Sequence, residues 1–341
     1  MSAIERNPGL DVGRIVAMTL VVLLHMTGSG MDGSEPVGWA VAWAHGFSLC
    51  SVDFFALLTG YLCIDRPWRA GRILGLWGQV VVLGCAVSLA CGDFRPVHLL
   101  YHFCPFLSNE FWYFTSYALL FFVIPVLNGG ILSLPRRTLL TVCGALGALI
   151  VLSWVSRFDV LCFNSGFSPI WLTVLYVFGA ACRLHEEALK KVRRFALPAA
   201  FAFGTLNVLY IRIVRVTPSL SAYFGCKSAE YDYTSPMAVL TAVSLLTWCA
   251  SIRIAGERAR RFLRTYAASA FGVYLIHTNP AFLERFWIGR FRWIGELPIA
   301  GTVAVLVFLP PLLFLAFGTL DLIRARACAL LKGIGRPRGV R

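Results

Sequence analysis

Arg14 and His25 stand eleven positions apart in one apolar run, Leu10-Asp11-Val12-Gly13-Arg14-Ile15-Val16-Ala17-Met18-Thr19-Leu20-Val21-Val22-Leu23-Leu24-His25. On an α-helix that spacing is about three turns and a rise of about 16 Å, so both side chains fall on nearly one face. Arg14 then lies near a membrane surface and His25 well inside the bilayer. Ionisable groups at such depth are costly in lipid and usually mark function. A neutral imidazole in a water-poor cavity can take a proton from a hydroxyl, which is general-base chemistry. The bland alternative is a histidine bonded to a neighbouring helix that serves packing alone. Its alignment with Arg14 favours chemistry.

Three further constellations accompany this pair. Arg66-Pro67-Trp68-Arg69-Ala70-Gly71-Arg72 follows the second apolar segment and opens the third. Arg69 and Arg72 sit three apart and face one way on a helical turn. Guanidinium groups clustered at a helix start can clamp phosphate oxygens, although membrane anchoring or contact with anionic lipid heads would use the same residues. Asp53 lies inside an apolar segment and needs a partner, with Arg14 or another basic residue the expected one. His277 closes Ala270-Phe271-Gly272-Val273-Tyr274-Leu275-Ile276-His277 just before Pro280. It either lines an outward-facing cavity or caps a helix that the proline disturbs. Phosphate-loop glycines, a GxSxG elbow and HExxH are missing. His98 and His102 are four apart without further ligands nearby, so no metal is expected.

The elements that must position these residues are membrane helices. Of 341 residues 58% are hydrophobic and only 14% charged, and the mean hydropathy is +0.73. That is an integral membrane composition and leaves no room for an ordinary soluble domain. About ten spans are expected, near 10–28, 38–62, 73–91, 111–128, 138–155, 168–184, 195–213, 236–252, 266–283 and 299–323. Segment 94–110 reads as an outer loop or a re-entrant piece. The formal charge of +14 sits in short loops, which points to the positive-inside rule rather than to nucleic acid. With the N-terminus in the cytoplasm, inner segments hold 23 of the 31 basic residues. Both termini are then cytoplasmic, and an all-α domain over 1–330 is followed by a short basic cytoplasmic tail, 331–341. The first helix reads as retained rather than cleaved as a signal peptide. The eleven cysteines read mainly as small buried hydrophobes, and Cys104, Cys162 and Cys226 fall in outer loops where a disulfide among them would have room to form.

At these residues the chain resembles acyltransferase family 3, multi-span membrane O-acyltransferases. Arg14 to His25 resembles that family's basic residue, ten residues, then histidine. Val52-Asp53-Phe54-Phe55 … Thr59-Gly60-Tyr61 resembles its VDxFFxxSG(F/Y) stretch, with Thr59 in place of the usual serine. Arg69 and Arg72 match its RxxR element, Phe111-Trp112-Tyr113 … Pro125 its (L/F)W(F/Y) span, and Phe271 to His277 its FGIYLIH segment. Tyr231 to Met237 resembles the YxYxSP stretch of the surface-polysaccharide branch. The matches run in order over about residues 10 to 280. The resemblance implies transfer of an acyl group, commonly acetyl from cytoplasmic acetyl-CoA, to a hydroxyl of an extracytoplasmic or lipid-linked glycan at the plasma membrane. It implies Arg69, Arg72 and Arg14 toward the CoA phosphates. His25 would be the base or a transient acyl carrier, with the base favoured. Asp53 would orient or charge-balance Arg14 or His25, and Tyr274, His277 and Trp112 would bind substrate. Some members carry an extra periplasmic hydrolase-like domain, which is not expected here. A polysaccharide or precursor exporter is the rival from another class. A purely structural envelope partner has little need of Arg14, His25 and Asp53 at depth.

Overall fold

Apolar runs of this length satisfy their backbone groups in lipid only as helices or closed barrels, and helices are what this chain forms. The computed structural model describes residues 7–31, 38–108, 110–156, 158–224 and 232–334, and among them there is no strand. The order is α1 (Pro8–Thr27), α2 (Trp39–Ser48), α3 (Cys50–Cys63), α4 (Gly71–Ala90), α5 (Pro96–Phe103), α6 (Trp112–Ser133), α7 (Arg136–Val155) and α8 (Pro169–Leu184). There follow α9 (Glu186–Val216), α10 (Pro218–Phe224), α11 (Pro236–Ser251), α12 (Glu257–Ala268), α13 (Ala270–His277), the single turn α14 (Pro280–Phe282) and α15 (Ile299–Ile334).

Seven helical segments of the described chain are long and apolar enough to cross a membrane: Pro8–Met31, Trp39–Cys63, Gly71–Ala90, Trp112–Ser133, Arg136–Val155, Glu186–Val216 and Ile299–Leu330. The protein is thus an all-helical, multi-pass membrane protein. Two of the other three expected spans are the shorter apolar helices Pro169–Leu184 and Pro236–Ser251. The remaining one, 266–283, is interrupted. A basic helix, α12, meets α13 at Ser269, and α13 ends before Asn279, whose side chain caps the turn at Pro280. Segment 94–110 folds as α5 followed by a short 3₁₀ turn. Residues Tyr231 and Cys226 and most of the tail 331–341 lie outside the described residues. Cys104 and Cys162 are both free thiols, so the two are not joined to each other.

Polar contacts sort the loops into two ends. Asn7 Nδ2 donates to Ala250 O at 2.8 Å, Asn128 Nδ2 to Cys63 O at 3.1 Å, and Arg183 Nε to Asp65 Oδ2 at 2.9 Å. These gather the arginine-rich loops at one, basic end. At the far end the backbone of Gly289 and Phe291 donates to Ser29 and Gly30, and Tyr233 N donates to Ser165 O.

The seam that sets the phase of the central helices runs between α3 and α8. A side chain at Gly60 would fall on the Tyr176 carbonyl, and one at Gly179 on the Leu57 carbonyl. Small residues thus let two backbones touch, the usual device where lipid supplies no hydrophobic drive between helices. Asn7 fixes α1 likewise: its Oδ1 accepts from Gly9 N at 2.9 Å while its amide reaches α11. With α1 pinned at its start, the face carrying both Arg14 and His25 is fixed.

Candidate active site

A cavity of about 190 Å³ lies between α1, α3, α4, α6 and α13. Met18, Val21, Leu24 and His25 of α1 form one wall, Val52, Phe55 and Thr59 of α3 another. Trp112, Tyr113, Phe114 and Tyr117 of α6, with Phe271 and Tyr274 of α13, close the aromatic side. Leu76 stands toward the basic end and Tyr233 toward the far end. The wall is mainly hydrocarbon and ring, with polar atoms at a few points, the usual make-up of a small-molecule site.

His25 presents its ring to this cavity and is held from behind. Its Nδ1 lies 3.0 Å from Nε2 of His277, and its carbonyl accepts from Trp287 Nε1 at 3.0 Å. His277 is fully buried. Its Nδ1 lies 2.6 Å from the Val273 carbonyl one turn back in α13. His277 is therefore not among the cavity-lining residues. The sequence left it open whether His277 faces a cavity; it sits behind His25 instead, packed between Trp287 and Phe317.

Arg14, three turns before His25 on α1, and Arg72, in the first turn of α4, stand toward the basic ends of two helices that wall the cavity. Arg14 also lies 4.0 Å from Asp11, one turn before it. Arg69 is exposed, stands just before α4, and accepts the Arg72 amide through its carbonyl at 3.0 Å. It makes no side-chain hydrogen bond or ion pair among the described residues. Arg69 and Arg72 thus bracket the turn that opens α4. Trp68 anchors that turn, its Nε1 donating to Phe121 O at 2.9 Å.

Asp53 is fully buried, and its Oδ1 accepts from Trp171 Nε1 at 2.9 Å. It makes no bond to Arg14 or His25. The expected partner is replaced because α3 runs antiparallel to α1: Asp53 lies early in α3, toward the far end, while Arg14 lies early in α1, at the basic end. Trp112 and Tyr274 are in the cavity wall. Trp112 stacks on Tyr233 with centroids 6.2 Å apart. Sequence reasoning missed Tyr113 and Tyr117. Their i, i+4 spacing after Trp112 is a readable signal for one aromatic face of α6. Outside the cavity lining, the His45 Nδ1 lies 3.1 Å from Thr27 Oγ1 on α1. Among the described residues no group of three or more His, Cys, Asp or Glu is placed to hold a metal ion.

The family model described as an acyltransferase domain matches residues 7–320. This chain belongs to acyltransferase family 3. The match spans every element of the site just described, from the Asn7 cap to α15, so the acyltransferase is a membrane one. No curated protein and no solved structure matches the chain.

Proposed function

We propose that this acyltransferase moves an acetyl group from acetyl-CoA, docked at the basic end, to a hydroxyl of an extracytoplasmic or lipid-linked glycan that approaches from the far end. The observation that carries the reading is one cavity with His25 on its wall and Arg14 and Arg72 beside its basic end. Coenzyme A is polyanionic, and guanidinium groups are the side chains suited to its phosphates. Arg14, Arg69 and Arg72 hold the nucleotide end, and the flexible pantetheine arm lies along the apolar and aromatic wall toward His25. Tyr274 and Trp112 contact the acceptor or the thioester from the cavity side.

His25 acts as the base. It removes the acceptor hydroxyl proton, the oxygen attacks the thioester carbonyl, and the carbon–sulfur bond breaks. The imidazolium returns its proton to the departing thiolate, giving the ester and CoA thiol. The basic end faces the cytoplasm, as the loop charge implies, and the membrane is the plasma membrane. Family membership favours this over an exporter of polysaccharide.

The test is acetyl transfer from labelled acetyl-CoA to envelope glycan by purified protein and by His25→Gln. Loss of general-base catalysis typically costs about 10²–10⁴ in rate. The variant should keep acetyl-CoA binding and lose transfer to that extent. Near wild-type transfer by His25→Gln would make His25 structural.

A further inference from the structure

We infer that His277 is the positioning residue of this site: it fixes which nitrogen of His25 faces the substrates and shares the charge that His25 acquires. The inference rests on the base role proposed above.

Donors and acceptors fix the protonation pattern of the two rings. A backbone carbonyl can only accept, so the 2.6 Å contact with Val273 O requires a proton on Nδ1 of His277. A neutral imidazole with Nδ1–H has its lone pair on Nε2. That lone pair is 3.0 Å from Nδ1 of His25, so Nδ1 of His25 must carry the hydrogen. His25 then holds its lone pair on Nε2, on the far side of the ring from His277. One carbonyl in α13 thus sets two tautomers in series. In serine-type triads a carboxylate orients the catalytic imidazole in this way. Here Asp53, the nearby acid that sequence suggests, is engaged by Trp171 instead.

The second imidazole also gives the charge somewhere to go. When His25 takes the acceptor proton on Nε2, its Nδ1–H bond to His277 becomes charge-assisted. The Nδ1 proton can move to Nε2 of His277, leaving His25 neutral and His277 cationic, and it returns when the thiolate is protonated. The protons balance at each step. Around His277, Trp287 lies 5.7 Å away between ring centroids and Phe317 stacks at 6.3 Å with planes 10° apart. Such ring faces attract a cation at about that distance.

Two substitutions separate the roles. His277→Phe keeps a ring between Trp287 and Phe317 but removes the acceptor. His277→Gln places an amide oxygen where Nε2 was and can still accept from His25. Nitrogen-15 NMR of histidine-labelled protein at neutral pH reads the tautomers directly. The wild type and His277→Gln should show His25 protonated at Nδ1, and His277→Phe should lose that preference. In transfer assays His277→Phe should lower kcat by about 10²-fold or more, less than or equal to the roughly 10⁴-fold seen when a triad tautomer is wrong. The KM for acetyl-CoA should stay within about twofold, and His277→Gln, which restores the orientation but cannot take the proton, should recover only part of kcat. An Nε2-protonated His25 in the wild type overturns the inference, as does a well-folded His277→Phe with unchanged kcat. If the tautomers are as stated but His25→Gln still transfers acetyl, the base reading fails and the imidazole pair stands.

Discussion

Single residues carry three distinct kinds of work here, and substitution separates them. Arg72 lies in the first turn of α4, a wall helix of the cavity, and Arg69 precedes it on the same turn. Arg72→Ala should weaken acetyl-CoA binding by about 1–3 kcal/mol, the usual scale for a charge-assisted contact, with Lys restoring part of it. Calorimetric titration of detergent-solubilised protein checks this, and equal affinity in wild type and variant would remove Arg72 from the donor site. Asp53 shows the second kind. Its bond to Trp171 joins α3 to α8, so Asp53→Asn, which still accepts from the indole, should retain fold and transfer. Asp53→Ala leaves a buried N–H without its acceptor and should cost about 1–3 kcal/mol, read as a lower Tm. A well-folded but inactive Asp53→Asn would return Asp53 to the chemistry. The third kind is cover: Trp287 donates to the His25 carbonyl and shields His277.

Elements set these residues in place through contacts that sequence reveals unevenly. The α1 face was legible because the 3.6-residue period fixes it, and Pro280 marked a disturbance, although the span expected over 266–283 is also interrupted at Ser269. The Asp53–Trp171 tie and the His25–His277 contact were not, since each joins positions more than a hundred residues apart and depends on how helices pack. Gly60→Ala tests the α3–α8 seam. Its new methyl group meets a backbone carbonyl that cannot rotate away, so stability should fall by about 1–3 kcal/mol or more, as for overpacking generally; an unchanged Tm would mean that the helices separate freely. The connection after α4 answers to pH. Asp93 accepts from Arg95 Nε at 2.9 Å and pairs with His98 Nδ1 at 2.6 Å. The Arg95 guanidinium, with lesser help from the Arg95 backbone and His98, holds its carboxyl well below the usual carboxylate range. Folding therefore favours the ionised form. That stabilisation is complete above the ordinary carboxylate range and is lost as pH falls below it toward the depressed value in the folded protein. Asp93→Asn should lower Tm at neutral pH, and its gap from wild type should close on acidification. A gap that does not vary with pH would show that the pair contributes nothing.

At the scale of the whole molecule, the two ends divide the labour: arginines gather at one and the aromatic strap over residues 283–296 seals α1 at the other. Single cysteines in a cysteine-free background report the proposed orientation. Position 221, exposed on α10, should react with a membrane-impermeant reagent in intact cells, and position 133, exposed at the basic end of α6, should not. The opposite pattern would move the donor side and every argument built on it. The apolar, ring-lined cavity has one more consequence. A thioester is an energy-rich bond that water would destroy, and a base able to deprotonate a sugar hydroxyl could equally activate water. The hydrocarbon wall from Met18 to Phe271 leaves a water molecule few partners there, which under the proposed function would guard the acetyl donor against idle hydrolysis while no acceptor is bound. Opening that wall, for instance with Phe55→Ser, should turn a transferase into a leaky thioesterase that consumes acetyl-CoA with no glycan present.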